Sequence, residues 1–203
     1  MLKGKRALST ARLVRIAIFV ALIIVGAFIK IPIGAVPVSL QMTFCIACAL
    51  LLGGKDCFFC IAIYIFMGIV GIPVFTSGGG FAYVFQPTFG YLLGFLIGAP
   101  ICGFVARGLK CDKKLSKTRF ALGCTFALFV VYIVGVFYMY LMLGYLQTPV
   151  TLADAWLIGC AVFLPSDIVL CIVSCIVAYC VLKRCGINFF AKDKYNTQPY
   201  ERE

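Results

Sequence analysis

The sequence of 203 residues contains no histidine, one tryptophan and only seven acidic residues. Without imidazole, no side chain titrates near neutral pH unless its surroundings shift it. A histidine general base, proton relay or metal ligand is therefore excluded. Charged residues are 12% of the chain, against roughly 25% in a soluble globular domain. That is too little charge to cover a water-facing surface. No G-x-x-x-x-G-K-[ST] phosphate loop occurs, so ATP hydrolysis by that route is excluded. Neither H-E-x-x-H nor G-x-S-x-G is present, and no nucleophile–base pair is visible. An inverted repeat of broken helices, as in secondary transporters, is also missing. Nothing here calls for a cofactor or a metal, or points to an enzyme.

What the chain has is apolar length. Hydrophobic residues make up 64% of it, and runs of about 20 mainly apolar residues span a bilayer as helices. The spacing predicts an all-α integral membrane protein, a single transmembrane domain over residues 1–203. Six helices are expected at roughly 11–30, 39–53, 57–71, 87–107, 120–145 and 155–182, with a polar tail at 186–203. The first apolar run, Ile16 to Ile29, would also suit a signal-peptide core. The runs that follow it favour a span, with Arg12 and Arg15 snorkelling from its first turn.

The net charge of +11 suggests nucleic-acid binding, but the cations sit between apolar runs and form no folded basic face. With the N terminus in the cytoplasm, the segments 1–15, 54–56, 107–119 and 183–203 hold 17 of the 18 Lys and Arg residues. Only Lys30 falls outside. This is the positive-inside pattern. It puts both termini in the cytoplasm and makes lipid, not nucleic acid, the partner of the bulk of the chain. The twelve cysteines include two C-x-x-C pairs, Cys45–Cys48 and Cys57–Cys60. Because most cysteines lie inside apolar runs, they read first as small packing residues. Metal binding and a redox role are the alternatives.

Some polar features exceed what an anchor needs. Asp167, in Leu164-Pro165-Ser166-Asp167, is the only acidic residue inside an apolar run and is expected near the middle of the sixth helix. A carboxylate at mid-membrane costs about 2.5–3.5 kcal/mol or more, so it should face the interior. Ligand contact, an interhelical hydrogen bond and proton coupling are all open readings. Asp167, Cys171, Ser174 and Ala178 recur at helical spacing as a small or polar stripe. Pro165 frees a carbonyl one turn earlier. Gly90, Gly94 and Gly98 repeat every four residues, which allows close helix packing. Ala17 and Ala21 form a smaller patch, for internal packing or for docking to another membrane subunit. The segment Gly71 to Tyr91 combines glycines with Phe75, Phe81, Tyr83, Phe85 and Tyr91. It reads as an outer lid over a pocket or as an interfacial aromatic belt.

Four blocks in order resemble BioY proteins. They are the run from Ile31-Pro32-Ile33-Gly34 to Ser39-Leu40-Gln41; Gly68-Ile69-Val70-Gly71-Ile72-Pro73-Val74-Phe75 with the glycines 78–80; Gln86-Pro87-Thr88-Phe89-Gly90-Tyr91-Leu92-Leu93-Gly94-Phe95; and Pro165-Ser166-Asp167. The resemblance covers roughly residues 15–182. It implies the biotin-binding S component of an energy-coupling factor (ECF) transporter, with an S-component-like six-helix bundle and no intrinsic ATPase. The implied partners are biotin, a transmembrane T subunit and two cytoplasmic ATPases, in the cell membrane. Ala17 and Ala21 match the small-residue motif that contacts the T subunit.

On this reading Asp167 accepts from the ureido N–H groups of biotin, a charge-assisted bond. Gln41, Thr88 and Tyr91 are candidates for its remaining polar atoms. Phe75 and Tyr83 would cover the rings and tail, Gly79 and Gly80 belong to the ligand loop, and Lys30 is the outer cation available to the carboxylate. The family pattern continues Pro-x-Asp-x-x-Lys, where this chain has Leu170. Biotin is then held differently, or the ligand is another vitamin or a relative of biotin. A stand-alone proton-coupled carrier using Asp167 is the competing class.

Overall fold

The computed structural model describes residues 10–31, 38–108, 116–146, 151–161 and 163–185. The basic residues 1–9, the connection 32–37, most of the basic stretch 107–119, the turn 147–150 and the tail 186–203 lie outside the described residues. The elements in chain order are α1 (Thr10–Phe28), a two-residue antiparallel ladder of β1 (Lys30–Ile31) and β2 (Val38–Ser39), α2 (Gln41–Leu52) and α3 (Gly54–Val70). After a short 3-10 turn (Phe81–Phe85) come α4 (Phe89–Arg107), α5 (Lys117–Tyr145), α6 (Leu152–Trp156), a π turn (Leu157–Ala161) and α7 (Leu164–Cys185). Among the described residues, α1, α4, α5 and the run Leu152–Cys185 are each long and apolar enough to cross a membrane. The chain is a multi-pass membrane protein.

α2 is the centre of the bundle, packed by α1, α3, α4 and α7. Nine of its twelve residues are buried, so it faces protein on nearly every side. At 1.5 Å per residue its twelve residues span about 18 Å, less than a bilayer core. A short helix is tolerated at membrane depth when protein rather than lipid surrounds it. The turn to α3 is a single glycine, Gly53, with φ +85°. α3 therefore starts three residues earlier than the sequence reading has it. Lys55 and Asp56 fall in its first turn, where a helix N terminus favours the carboxylate. Asp56 accepts from Arg12 on α1, at 3.0 Å from Nε and 2.5 Å from Nη2. Arg12 is thus held by an ion pair that ties α1 to α3.

α4 and α5 make the most extensive helix pair, and the glycine stripe is the reason. A Cβ on Gly94 would lie 2.9 Å from the Val131 backbone, and one on Gly98 would lie 2.9 Å from the Ala127 carbonyl oxygen. Backbone occupies that space, so only glycine fits.

The last helix needs a correction. The sequence reading has one helix over 155–182; the structure divides this stretch into α6, the π turn and α7. Pro165 explains the break. Its ring clashes with a continuing helix but suits a helical first turn, and α7 begins one residue before it. Asp167 consequently lies in the first turn of α7 and not at mid-helix. Within α7, Cys171, Ser174, Ala178 and Leu182 are buried. Ser174 donates to the Thr43 carbonyl on α2 at 3.2 Å.

Candidate functional site

The start of α7, the start of α2, the loop after α3 and the upper turns of α4 converge on one small cavity of about 60 Å³. Gln41, Tyr83, Thr88, Tyr91 and Asp167, all singled out by sequence, line it together with Ser39, Thr76 and Tyr132. Each is positioned by a local feature. Gln41 opens α2 directly after the β ladder. Thr88 and Tyr91 straddle the start of α4. Asp167 is set by the restart of the helix at Pro165, with its amide bonded to the Phe163 carbonyl at 3.0 Å.

Six of the polar side chains, Thr76, Tyr83, Thr88, Tyr91, Tyr132 and Asp167, already have hydrogen-bond partners. Tyr132 Oη donates to Asp167 Oδ2 at 2.6 Å, a length typical of a hydroxyl bonding a carboxylate. Tyr91 Oη donates at 2.7 Å to the carbonyl of Gly159, inside the π turn. The carbonyl that anchors Tyr91 thus comes from the broken stretch itself. Tyr83 Oη lies 2.8 Å from Thr76 Oγ1, and Thr88 Oγ1 donates to it at 3.2 Å. These three hydroxyls form a chain across one wall. At the rim, exposed Lys30 donates to the Thr76 carbonyl.

Three of the sequence candidates do not line the cavity. Phe75 is fully buried behind Tyr83, with ring centres 4.5 Å apart. Its other side meets Tyr64 edge-on at 5.4 Å and presses on Gly68, where any Cβ would overlap its ring. Gly79 and Gly80 shape the loop. A Cβ on Gly79 would overlap the Ile72 carbonyl, and Gly80 has φ +104° and donates to the Gly68 carbonyl at 2.7 Å. The loop after α3 is therefore held to α3 at Gly68 and folded on itself at Gly79, and Tyr83 is mounted on it. Ala17 and Ala21 lie midway along α1 on an exposed face with Val14, Ile18 and Val25.

Tyr132 is the residue that sequence reasoning missed. It sits in an unbroken apolar run on α5, one of four tyrosines in that helix. The available signal was indirect: Leu170 leaves Asp167 without the lysine of the family pattern, so a half-buried carboxylate needed another donor.

Comparison with known proteins bears on the whole chain. The model of the BioY family matches residues 3–186. A probable biotin transporter BioY from Lysinibacillus sphaericus is 40% identical over 171 residues, 84% of this chain and 86% of the relative. The biotin transporter BioY of Thermotoga maritima is 39% identical over 127 residues, 62% of this chain and 72% of its own. A crystal structure of the S-component for biotin from an ECF-type ABC transporter superposes with a TM-score of 0.77. It covers 94% of this chain and 98% of that one, at 24% identity. A shared fold is what that structural likeness carries. On the family match and the Lysinibacillus relative, the chain belongs to the BioY family.

Proposed function

We propose that this chain is the membrane-embedded S component that captures biotin for an ATP-driven ECF transporter in the plasma membrane. The observation that carries the reading is Asp167, a carboxylate held at the wall of a cavity lined by hydroxyls and rings, in a chain of this family. The chain is a transport subunit and not an enzyme.

The ureido ring of biotin offers two N–H donors and one carbonyl. A carboxylate has about four lone-pair positions, so Asp167 can keep Tyr132 on Oδ2 and accept ligand N–H groups on its free lone pairs. Tyr132 replaces the donor that Leu170 does not supply. The Gln41 amide and the Thr76–Tyr83–Thr88 hydroxyl chain are the partners for the ligand carbonyl. The ring of Tyr83, backed by Phe75, supplies an apolar cover. Lys30 at the rim pairs with the carboxylate of the tail, where water is near. A cavity of about 60 Å³ is well below the roughly 300–1,000 Å³ of small-molecule sites. Ligand entry therefore requires the loop carrying Thr76 and Tyr83 to swing outward, which makes that loop the lid.

α1, α2, α3, α4, α5 and the broken α6–α7 segment serve as six spans. Both termini are cytoplasmic, as the positive-inside pattern requires. The exposed α1 face with Ala17 and Ala21 meets the T subunit, whose two ATPase partners supply the energy. Co-purification tests this: a tagged chain extracted in mild detergent brings down a T subunit and two ATPases. Recovery of the chain alone, with uptake driven by a proton gradient, would instead establish a stand-alone carrier.

A further inference from the structure

A second and larger recess lies on the flank of the bundle. Between α5 and the α6–α7 segment runs a groove of about 990 Å³. Its floor is closed at three contacts. Phe120 meets Tyr179 edge-on with ring centres 6.4 Å apart, Cys124 Sγ lies 3.2 Å from Cys175 Sγ, and Tyr132 bonds Asp167. Its rims, Phe129, Ile168, Ile172 and Ile176, are exposed. The groove stays open because α7 packs its buried stripe on α2 and meets α5 through the Asp167 carboxylate at one end and, below it, a thiol and a ring edge.

Its two ends differ. One carries Lys117 and Lys183, exposed side chains from two different helices, with Lys117 Nζ 5.5 Å from the centre of the Tyr179 ring. The other carries Trp156, Cys160 and Leu164. Among the described residues no carboxylate lines the groove. From Lys117 to Tyr132, α5 rises about 22 Å, more than half of the ~30 Å hydrocarbon core. A groove with cations at one interface and apolar walls past the bilayer middle has the reach of one lipid tail.

We propose that this groove binds one anionic phospholipid, its phosphate held by Lys117 and Lys183 and an acyl chain lying along α5 toward Tyr132. Charge complementarity selects this occupant. A zwitterionic headgroup brings its own cation beside the phosphate, whereas an anionic one leaves the phosphate to the two lysines. The cysteines of the floor behave as small hydrophobes against the chain. Tyr132 lines both this groove and the small cavity, so the far end of the lipid tail rests behind the Tyr132–Asp167 pair. With the proposed topology, the lysines face the cytoplasmic leaflet, which carries the anionic lipids.

Trp156 lines the groove and is the one tryptophan of the chain, so its fluorescence reports occupancy. The full chain is reconstituted in phosphatidylcholine vesicles holding a small fraction of lipid brominated on its acyl chains. Brominated phosphatidylglycerol is expected to quench Trp156 more than brominated phosphatidylcholine at equal mole fraction. Lys117→Gln with Lys183→Gln should weaken that preference about 25-fold, at roughly fivefold per lysine. Lys55→Gln, away from the groove, should leave it intact. Equal quenching by the two lipids in the native chain overturns the proposal. So does a loss with Lys55→Gln matching that of the double variant, which would mean attraction to the basic face as a whole. If the double variant does not reconstitute, competition in the native chain decides. Unbrominated phosphatidylglycerol must relieve the quenching at lower mole fraction than phosphatidylcholine, and equal relief refutes the site.

Discussion

Replacing Asp167 by asparagine keeps the side-chain shape and removes the charge. The native carboxylate already receives Tyr132 at 2.6 Å. A ligand N–H bonded to it belongs to the charged class, contributing about 1.5–3 kcal/mol, against about 0.5–1.5 for a neutral pair. The difference between the midpoints, about 1.2 kcal/mol per ligand bond, is close to tenfold in affinity. One bond lost to the neutral class predicts about tenfold weaker biotin binding, and two predict up to about 100-fold. Stability should move little. The substitution relieves the cost of a carboxylate in apolar surroundings, which is about 2.5–3.5 kcal/mol at a bilayer centre, while it weakens the Tyr132 bond. These terms oppose each other, so the unfolding midpoint stays level or rises slightly. If Asp167 only tied α7 to α5, the signs would reverse: the midpoint would fall and the surviving folded protein would bind normally. Titration calorimetry and thermal unfolding of the purified Asp167→Asn protein in one detergent read both quantities. Native affinity in a folded variant would refute the assignment.

Tyr132→Phe removes the hydroxyl bonded to Asp167, so it should destabilise by about 1–3 kcal/mol and weaken biotin binding, checked by the same two measurements. Gly94→Val places a side chain against the Val131 backbone. Overpacking of about 1–3 kcal/mol or more should lower the unfolding midpoint, and an unchanged midpoint would contradict the α4–α5 geometry. Arg12→Gln leaves the buried carboxylate of Asp56 without its guanidinium, a loss of about 1–3 kcal/mol readable by thermal unfolding. Ala21→Trp on the exposed α1 face should leave biotin binding by the isolated chain unchanged and abolish co-purification of the T subunit.

Much of the architecture was legible because lipid enforces a simple code. A span must be apolar for about 20 residues, and a glycine every fourth residue announces close packing. Asp167 was legible for the same reason, since a carboxylate in an apolar run requires a partner. The break before α7 was not. Leu157–Ala161 has no composition that distinguishes a π turn from α-helix, and Pro165 reads equally as a kink or as a first turn. Tyr132 was hidden because nothing local separates it from the other tyrosines of α5; only the fold brings it to Asp167 from 35 residues away. Phe75 misled for a related reason. Its aromatic character is real, but Gly68 and Tyr64 draw it behind the wall that Tyr83 presents to the cavity.

The central claim is tested most directly by equilibrium binding of biotin to the purified native chain in detergent, followed by calorimetry, with dethiobiotin for comparison. Saturable binding with a dissociation constant in the nanomolar to low-micromolar range is the predicted result. Well-folded protein that binds neither ligand would contradict the account and separate this bundle from biotin.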